Sequence, residues 1–207
     1  MFGCIEKGLT EGQVRVTQLA GFVSERTAYR HGEASLHSAI ISLSQDFVGS
    51  NNINLLMPIG QFGKRNTKLS PFVILIYHLD DNPLLKYQYE GSKKIEPEWY
   101  IPIILTILVN GVEGIGTGWS TSIPNFNPTD IIQNLRRKIE GKNMVLMHPW
   151  YHGFYGEIKQ AGTNNNKYIS HGRITKTSDT NVLITELPLH KWTEDYRSKV
   201  LNELREN

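Results

Sequence analysis

Glu33-Ala-Ser-Leu-His-Ser-Ala-Ile-Ile-Ser-Leu-Ser-Gln-Asp-Phe-Val-Gly49 is the stretch on which the reading of the fold turns. Its apolar residues Leu36, Ile40, Leu43 and Phe47 fall at i, i+4, i+7 and i+11, one stripe of a 3.6-residue period, and Gly49 supplies a stop. This spacing predicts an amphipathic helix over residues 33–48. Upstream, residues 13–23 alternate apolar and polar at first and close through a glycine, which predicts a short strand and turn feeding that helix. Downstream, residues 50–65 carry turn chemistry at both ends around an apolar centre and predict an irregular loop.

Residues 72–79 form a mostly apolar run between Ser70-Pro71 and Asp80-Asp81-Asn82-Pro83, the pattern of a buried strand. A second apolar run, residues 99–110, leads into Gly111-Val-Glu-Gly-Ile-Gly-Thr-Gly118, where glycine frees the backbone for positive φ or close approach to another surface. Residues 120–127 read as loop. Asn127, Pro128 and Asp130 are an N-cap, a first-position proline and a first-turn acid; Ile131, Ile132, Leu135 and Ile139 make the stripe, and Gly141 ends the helix. Residues 153–189 alternate in strand fashion, and residues 193–204 place Tyr196, Val200 and Leu204 at spacing four, a last helix. The fold class is therefore α+β, with a domain boundary placed near residues 119–128.

Composition excludes more than it assigns. A formal net charge of +2 permits a polyanionic partner without identifying one. One cysteine, Cys4, rules out an internal disulfide or a cysteine zinc site and fits a reducing compartment. No run nears the roughly 20 apolar residues of a membrane helix, and residues 1–7 lack a signal-peptide pattern; a soluble chain without a membrane partner is expected. The glycine loop lacks the G-x-G-x-x-G order, the following helix and the Walker lysine, so a tight turn is favoured over a phosphate cradle. Tyr29-Arg30-His31-Gly-Glu33 sets Glu33 at the positive end of a helix dipole; Arg30 and His31 suit either capping or phosphate contact. Lys64, Arg65 and Lys68 beside Gln61 make a small basic cluster, either solvated or phosphate-binding.

Several ordered strings resemble the breakage-reunion core of eukaryotic type IIA DNA topoisomerases. They are Gln18-Leu-Ala-Gly21, Tyr29 with His31-Gly-Glu33, Phe47-Val-Gly-Ser-Asn-Asn52, Pro58-Ile-Gly-Gln-Phe-Gly63 with Arg65, Glu96-Pro-Glu-Trp-Tyr-Ile-Pro-Ile103, Asn110-Gly, Glu113-Gly-Ile-Gly-Thr-Gly-Trp-Ser120, Ile123-Pro-Asn-Phe126, and Glu186-Leu-Pro188 with Trp192-Thr193. Together they reach across nearly the whole chain. The resemblance implies a winged-helix domain over residues 1–120 and the start of an α+β tower domain over residues 121–207. It implies that Arg30, His31, Gln61, Lys64, Arg65 and Lys68 meet DNA and that Ile115 wedges between base pairs, its flanking glycines letting the backbone come close. Double-stranded DNA is the implied partner, with a second copy or a full-length topoisomerase II as protein partner and the nucleus as location.

The implied reaction is ATP-dependent change of DNA topology, in which a tyrosine oxygen attacks a phosphodiester, an adjacent arginine holds the phosphate, and a separate acidic domain supplies Mg2+. This sequence departs there. After Ser70-Pro71 it has Phe72 and Val73 where the family pattern has arginine and tyrosine, and the following segment is shortened. Tyr77, preceded by Ile76 in an apolar run, is a weak substitute nucleophile. The chain shows neither the acidic metal-binding motifs nor an ATPase domain, so ATP and Mg2+ belong to the full-length family rather than to these residues. The expectation is a catalytically incompetent partial topoisomerase chain; the alternative is a DNA-binding or topoisomerase-interacting remnant.

Overall fold

The computed structural model describes residues 1–8, 12–27, 29–59, 66–69, 78–162 and 167–206. Three helices come first: α1 (Phe2–Glu6), then after the two-residue strand β1 (Val14–Arg15) come α2 (Val16–Arg26) and α3 (Glu33–Ser42). β2 (Leu56–Ile59) and β3 (Asn66–Leu69) join β1 in an antiparallel sheet of order β1-β3-β2, with Val14 opposite Thr67 and Pro58 opposite Thr67 on the other side. Cys4, Val14, Val16, Leu19, Ala20, Leu36, Ile40 and Leu56 form the core between these helices and the sheet. Helices α1 and α2 touch at Gly3, where an added Cβ would lie 2.7 Å from Val23 Cγ2. A side chain at that contact would force Val23 to shift.

The structure departs from the sequence expectation at several elements. The strand at residues 13–23 stops at Arg15, because Val16, Leu19, Ala20 and Val23 sit at i, i+3, i+4 and i+7 and face the core as helix. Helix α3 ends at Ser42 instead of Val48. The carbonyl of Leu43 accepts from Leu55 N–H (3.0 Å) and Leu56 N–H (3.0 Å), so the returning chain takes the acceptor the helix would need. Phe47 leaves the helical stripe and packs on Trp192, ring centroids 5.1 Å apart. Residues 50–65 hold a strand, β2; Pro58 is tolerated because β2 is an edge. Leu79 opens a 3-10 turn, Leu79–Leu84, capped by His78; residues 72–77 of the expected strand lie outside the described residues.

Beyond the turn, β4 (Tyr87–Glu90) and β5 (Lys93–Pro97) pair, and α4 (Thr106–Asn110) leads into β6 (Val112–Gly116) and β7 (Trp119–Ile123). The loop expected at residues 120–127 is thus strand over its first part. Helix α5 (Pro128–Ile139) matches its signals: Asn127 Oδ1 accepts from Thr129 N–H at 2.9 Å, and the last turn carries Arg136, Arg137 and Lys138. A second core of Ile104, Val109 and Ile131 joins α4 to α5, with Ile53, Leu108, Phe126, Leu135 and Met147 around it. Two further hairpins follow, β8 (Glu157–Gln160) with β9 (Tyr168–His171) and β10 (Arg173–Lys176) with β11 (Val182–Glu186). The last helix is as expected in extent but mixed in pitch: α6 (Thr193–Tyr196), a π turn (Arg197–Leu201) and α7 (Asn202–Glu206).

Candidate nucleic-acid interface

The hairpin β6–β7 stands free of the two cores. Every residue of β6 is exposed, as are four of five in β7. Its turn is Thr117-Gly118, with positive φ (+82°) at Gly118 and not at Thr117, the second central position at which a type II turn calls for glycine. Pairing runs Val112↔Ile123, Glu113↔Ser122, Gly114↔Thr121, Ile115↔Ser120 and Gly116↔Trp119. Cross-strand partners share a face and successive residues alternate. Ile115 therefore lies with Ser120, Glu113 and Ser122 on one face; Trp119 lies with Gly116, Gly114 and Thr121 on the other. Ile115 is 95% exposed and Trp119 85%. Single exposed apolar side chains are ordinary on a protein surface; what sets Ile115 and Trp119 apart is that both stand near the tip of one free ribbon. Gly114 and Gly116 flank Ile115 in sequence and lie on the opposite face of the ribbon.

The base of the hairpin is pinned by asparagine amides. Asn110 Oδ1 accepts from Ile53 N–H at 2.9 Å while its Nδ2 donates to the Ile53 carbonyl at 2.8 Å. Gly111, at φ +66°, follows; an added Cβ would stand 2.5 Å from Asn125 Oδ1 and 2.6 Å from the Ile123 carbonyl. Buried Asn125 donates to the Ser50 carbonyl at 2.8 Å. Asn52 ties three segments, donating to the carbonyls of Phe126 (3.1 Å) and Trp150 (3.0 Å) and accepting from His152 N–H (2.8 Å). Asn51 donates to the carbonyls of Ser42 (2.7 Å) and Gln45 (2.9 Å), tying the same loop to the end of α3. An asparagine side chain offers donor and acceptor at one end, so it satisfies backbone groups that no sheet pairs. Tyr151 completes the base. Burial raises its phenol above the ordinary tyrosine value, a backbone hydrogen bond at Asn125 opposes this, and the Glu113 charge adds to the rise.

The other sequence candidates are placed unevenly. Arg30 Nη2 lies 2.5 Å from Glu90 Oε1, an exposed pair that contributes little stability but offsets the positive charge there. His31 is exposed and meets Tyr29 edge to face at 5.4 Å. It does not cap α3: the N-cap is Gly32 at φ +84°, with no side-chain bond, while Glu33 in the first turn pairs with His37 at 3.4 Å. Lys68 is on β3, opposite Met57; its side chain, and Gln61, Lys64, Arg65 and Tyr77, lie outside the described residues. No hydrogen bond, ion pair or ring contact among the described residues links Arg30 or His31 to Ile115. Among the described residues no group of three or more His, Cys, Asp or Glu could hold a metal ion. Sequence reasoning missed Asn51, Asn52, Asn110 and Asn125 as anchors; their only signal was turn chemistry around the glycines.

Comparison with known proteins gives this arrangement a family. Residues 1–207 match the family described as the A-type subunit of DNA gyrase/topoisomerase IV. The chain is 49% identical over 210 residues to DNA topoisomerase 2 of Pisum sativum, covering 95% of this chain and 14% of that protein. It is 44% identical over 220 residues to DNA topoisomerase 2 top-2 of Caenorhabditis elegans, covering 100% of this chain and 14% of that protein. Its structure superposes at a TM-score of 0.91 on the Plasmodium falciparum topoisomerase II DNA-binding, cleavage and re-ligation domain, with 44% identity over 98% of this chain and 29% of that one. The chain thus spans about one seventh of these curated relatives, 14% in each case. With a match along its full length and relatives this similar, the chain belongs to the DNA gyrase/topoisomerase IV family and groups there with the eukaryotic DNA topoisomerase II proteins.

Proposed function

We propose that this chain binds and bends duplex DNA as a partial type II topoisomerase, with α1 to α3 and the β1-β3-β2 sheet acting as a winged helix, the later hairpins as the start of a tower, and Ile115 as the wedge. The observation that carries this reading is Ile115 itself, an almost fully exposed isoleucine on a two-stranded ribbon whose base is held by four asparagines. Wedging an apolar side chain into a base step costs a few kcal/mol of unstacking, and smooth bending of a 20–30 bp site adds about 1–6 kcal/mol. A floppy ribbon would yield before the DNA did. The asparagine clasps resist that, because bending the ribbon back would leave buried amides and carbonyls unpaired. Arg30, His31, Gln61, Lys64, Arg65 and Lys68 serve as phosphate contacts, Arg30 by exchanging Glu90 for a phosphate.

Strand cleavage by the chain alone is not part of the proposal. Phe72 and Val73 carry no nucleophilic oxygen and no cation for phosphate. The Caenorhabditis match spans 220 positions against the 207 residues here, leaving 13 without a counterpart, which supports an internal deletion. The family's Mg2+ is expected from a separate acidic domain; among the described residues no group of three or more His, Cys, Asp or Glu gathers to hold an ion. The DNA-binding or topoisomerase-interacting remnant, partnered in the nucleus by a second copy or a full-length topoisomerase II, is favoured by the same replacement at Phe72 and Val73. The test is end-to-end fluorescence transfer on a 30-bp duplex with the wild-type chain and Ile115→Ala. Loss of the bend with unchanged melting supports the wedge; an unchanged bend overturns it.

A further inference from the structure

We propose that the face of the β6–β7 hairpin opposite Ile115, built from Gly114, Gly116, Trp119 and Thr121, is a second DNA-contacting surface that lies flat against the deoxyribose-phosphate wall of the groove the hairpin enters. The proposal rests on the reading that the hairpin inserts into DNA, and it assigns a task to residues that reading leaves idle.

Two independent observations point to it. Glycine inside a strand weakens the strand, so its presence calls for a bulge, a positive φ or a close approach. Gly114 and Gly116 have none of these within the chain. Neither has positive φ, and the β6–β7 register is unbroken. A Cβ on Gly114 would meet nothing within 4 Å, and one on Gly116 would meet only the Trp119 carbonyl at 3.8 Å. The chain's own packing therefore accounts for neither glycine, and a close approach from outside the chain does. Gly111 is the contrast: its Cβ would strike Asn125 and Ile123, so the chain's own packing explains it. The second observation is Trp119. Its cross-strand partner is Gly116, so no side chain of the ribbon covers the indole from that position, and it stands 85% exposed at the tip.

The chemistry of the face selects the occupant. It carries no charged residue: the ribbon's one ionisable side chain, Glu113, belongs to the Ile115 face and lies farther from the tip. An acid-free strip, bare at Gly114 and Gly116, with one indole, the Thr121 hydroxyl and Val112 and Ile123 toward its base, suits a sugar-phosphate strand, offering apolar contact to deoxyribose and one donor to a phosphate oxygen. The surface also continues the Ile115 interface around the same two strands. A minor groove about 6 Å wide does not admit a two-stranded ribbon, but one opened by a wedge does, and then both ribbon faces meet groove walls. Ile115 opens the step; Gly114, Gly116 and Trp119 brace the ribbon against the opposite strand.

The experiment compares wild-type chain, Gly114→Ala, Trp119→Ala, Trp119→Phe and Ile115→Ala, measuring DNA affinity by fluorescence anisotropy at 50 and 200 mM salt, bend by energy transfer, and melting temperature. Gly114→Ala is expected to keep or raise the melting temperature yet bind DNA about 10-fold more weakly, since its methyl meets open space in the free chain and a groove wall in the complex. Trp119→Ala should bind about 10-fold more weakly at both salts, because stacking and apolar contact release no counterions, while Trp119→Phe keeps most of the affinity. Wild-type binding by both Gly114→Ala and Trp119→Ala overturns the proposal. So does a Trp119→Ala loss that vanishes at 200 mM salt, or a Trp119→Phe loss equal to it. If Ile115→Ala abolishes the bend while these variants bind normally, this surface falls and the wedge stands. If they lose affinity while Ile115→Ala bends DNA normally, the wedge falls and this surface stands.

Discussion

Gly111 shows what a single residue does for this site. It needs positive φ, and its missing Cβ leaves room for the Asn125 amide and the Ile123 carbonyl, both under 3 Å from where a methyl would be. Gly111→Ala therefore combines backbone strain with a clash against buried polar atoms, a cost on the order of 2–4 kcal/mol. Urea unfolding checks it: the midpoint should fall sharply, whereas Gly118→Ala, with open space but the same sign of φ, should cost only about 1 kcal/mol. Of the site, the sequence displayed the glycine-rich loop and, through resemblance, Ile115. It did not show which glycine serves which purpose, because that depends on the hairpin register and on Asn125 fourteen positions away. The asparagine anchors were illegible for the same reason. Asn52 meets backbone groups at Phe126, Trp150 and His152, and no local pattern announces partners so distant.

At the scale of elements, legibility followed how local the determining forces are. Helix α5 was readable end to end, since its cap, first-turn proline, apolar stripe and basic last turn are all short-range signals. Helix α3 was readable only at its start; its end is set by Leu55 and Leu56 returning to the Leu43 carbonyl, a tertiary event. The start of α2 was misread because Val14 and Val16 alternate like a strand before the helical period takes over. The α5 signals give a quantitative expectation. Asn127 accepts from Thr129 N–H at 2.9 Å, and Pro128 already supplies a helix-ready φ, so Asn127→Ala loses one capping bond but keeps the start position. The loss should be about 1 kcal/mol. Asn134→Ala should cost more, because it leaves both the Val145 N–H and its carbonyl unpaired, each bonded to Asn134 at 2.8 Å. Thermal melts of the two variants in parallel would rank them; the reverse order would mean that the 142–147 segment finds other partners.

Across the whole molecule, two modest cores are joined by asparagine clasps and loop backbone, so pH and chemistry test the first core separately from the proposed DNA site. Cys4 is buried in that core, and burial raises its thiol above the ordinary value despite the nearby amino terminus. The unfolded thiol ionises near about 8.5, before the folded one, so above that pH the unfolded state holds fewer protons and stability falls as pH rises, by at most about 1.4 kcal/mol per unit for this group. Cys4→Ala should flatten the slope between pH 8 and 10, and a disulfide reagent should react with Cys4 only on unfolding. The proposed DNA site predicts a different whole-molecule behaviour. A working type II topoisomerase traps its own covalent phosphotyrosyl intermediate when denatured mid-reaction, which requires a tyrosine poised beside an arginine. The proposed reading puts Phe72 and Val73 in that place, and Tyr77 follows Ile76. Adding detergent to the chain on end-labelled duplex with Mg2+ should thus leave all label as free DNA, while the undenatured mixture shows reversible binding that weakens steeply with salt. Label retained on the protein after detergent, and lost in Tyr77→Phe, would instead make Tyr77 the nucleophile and return strand cleavage to this chain.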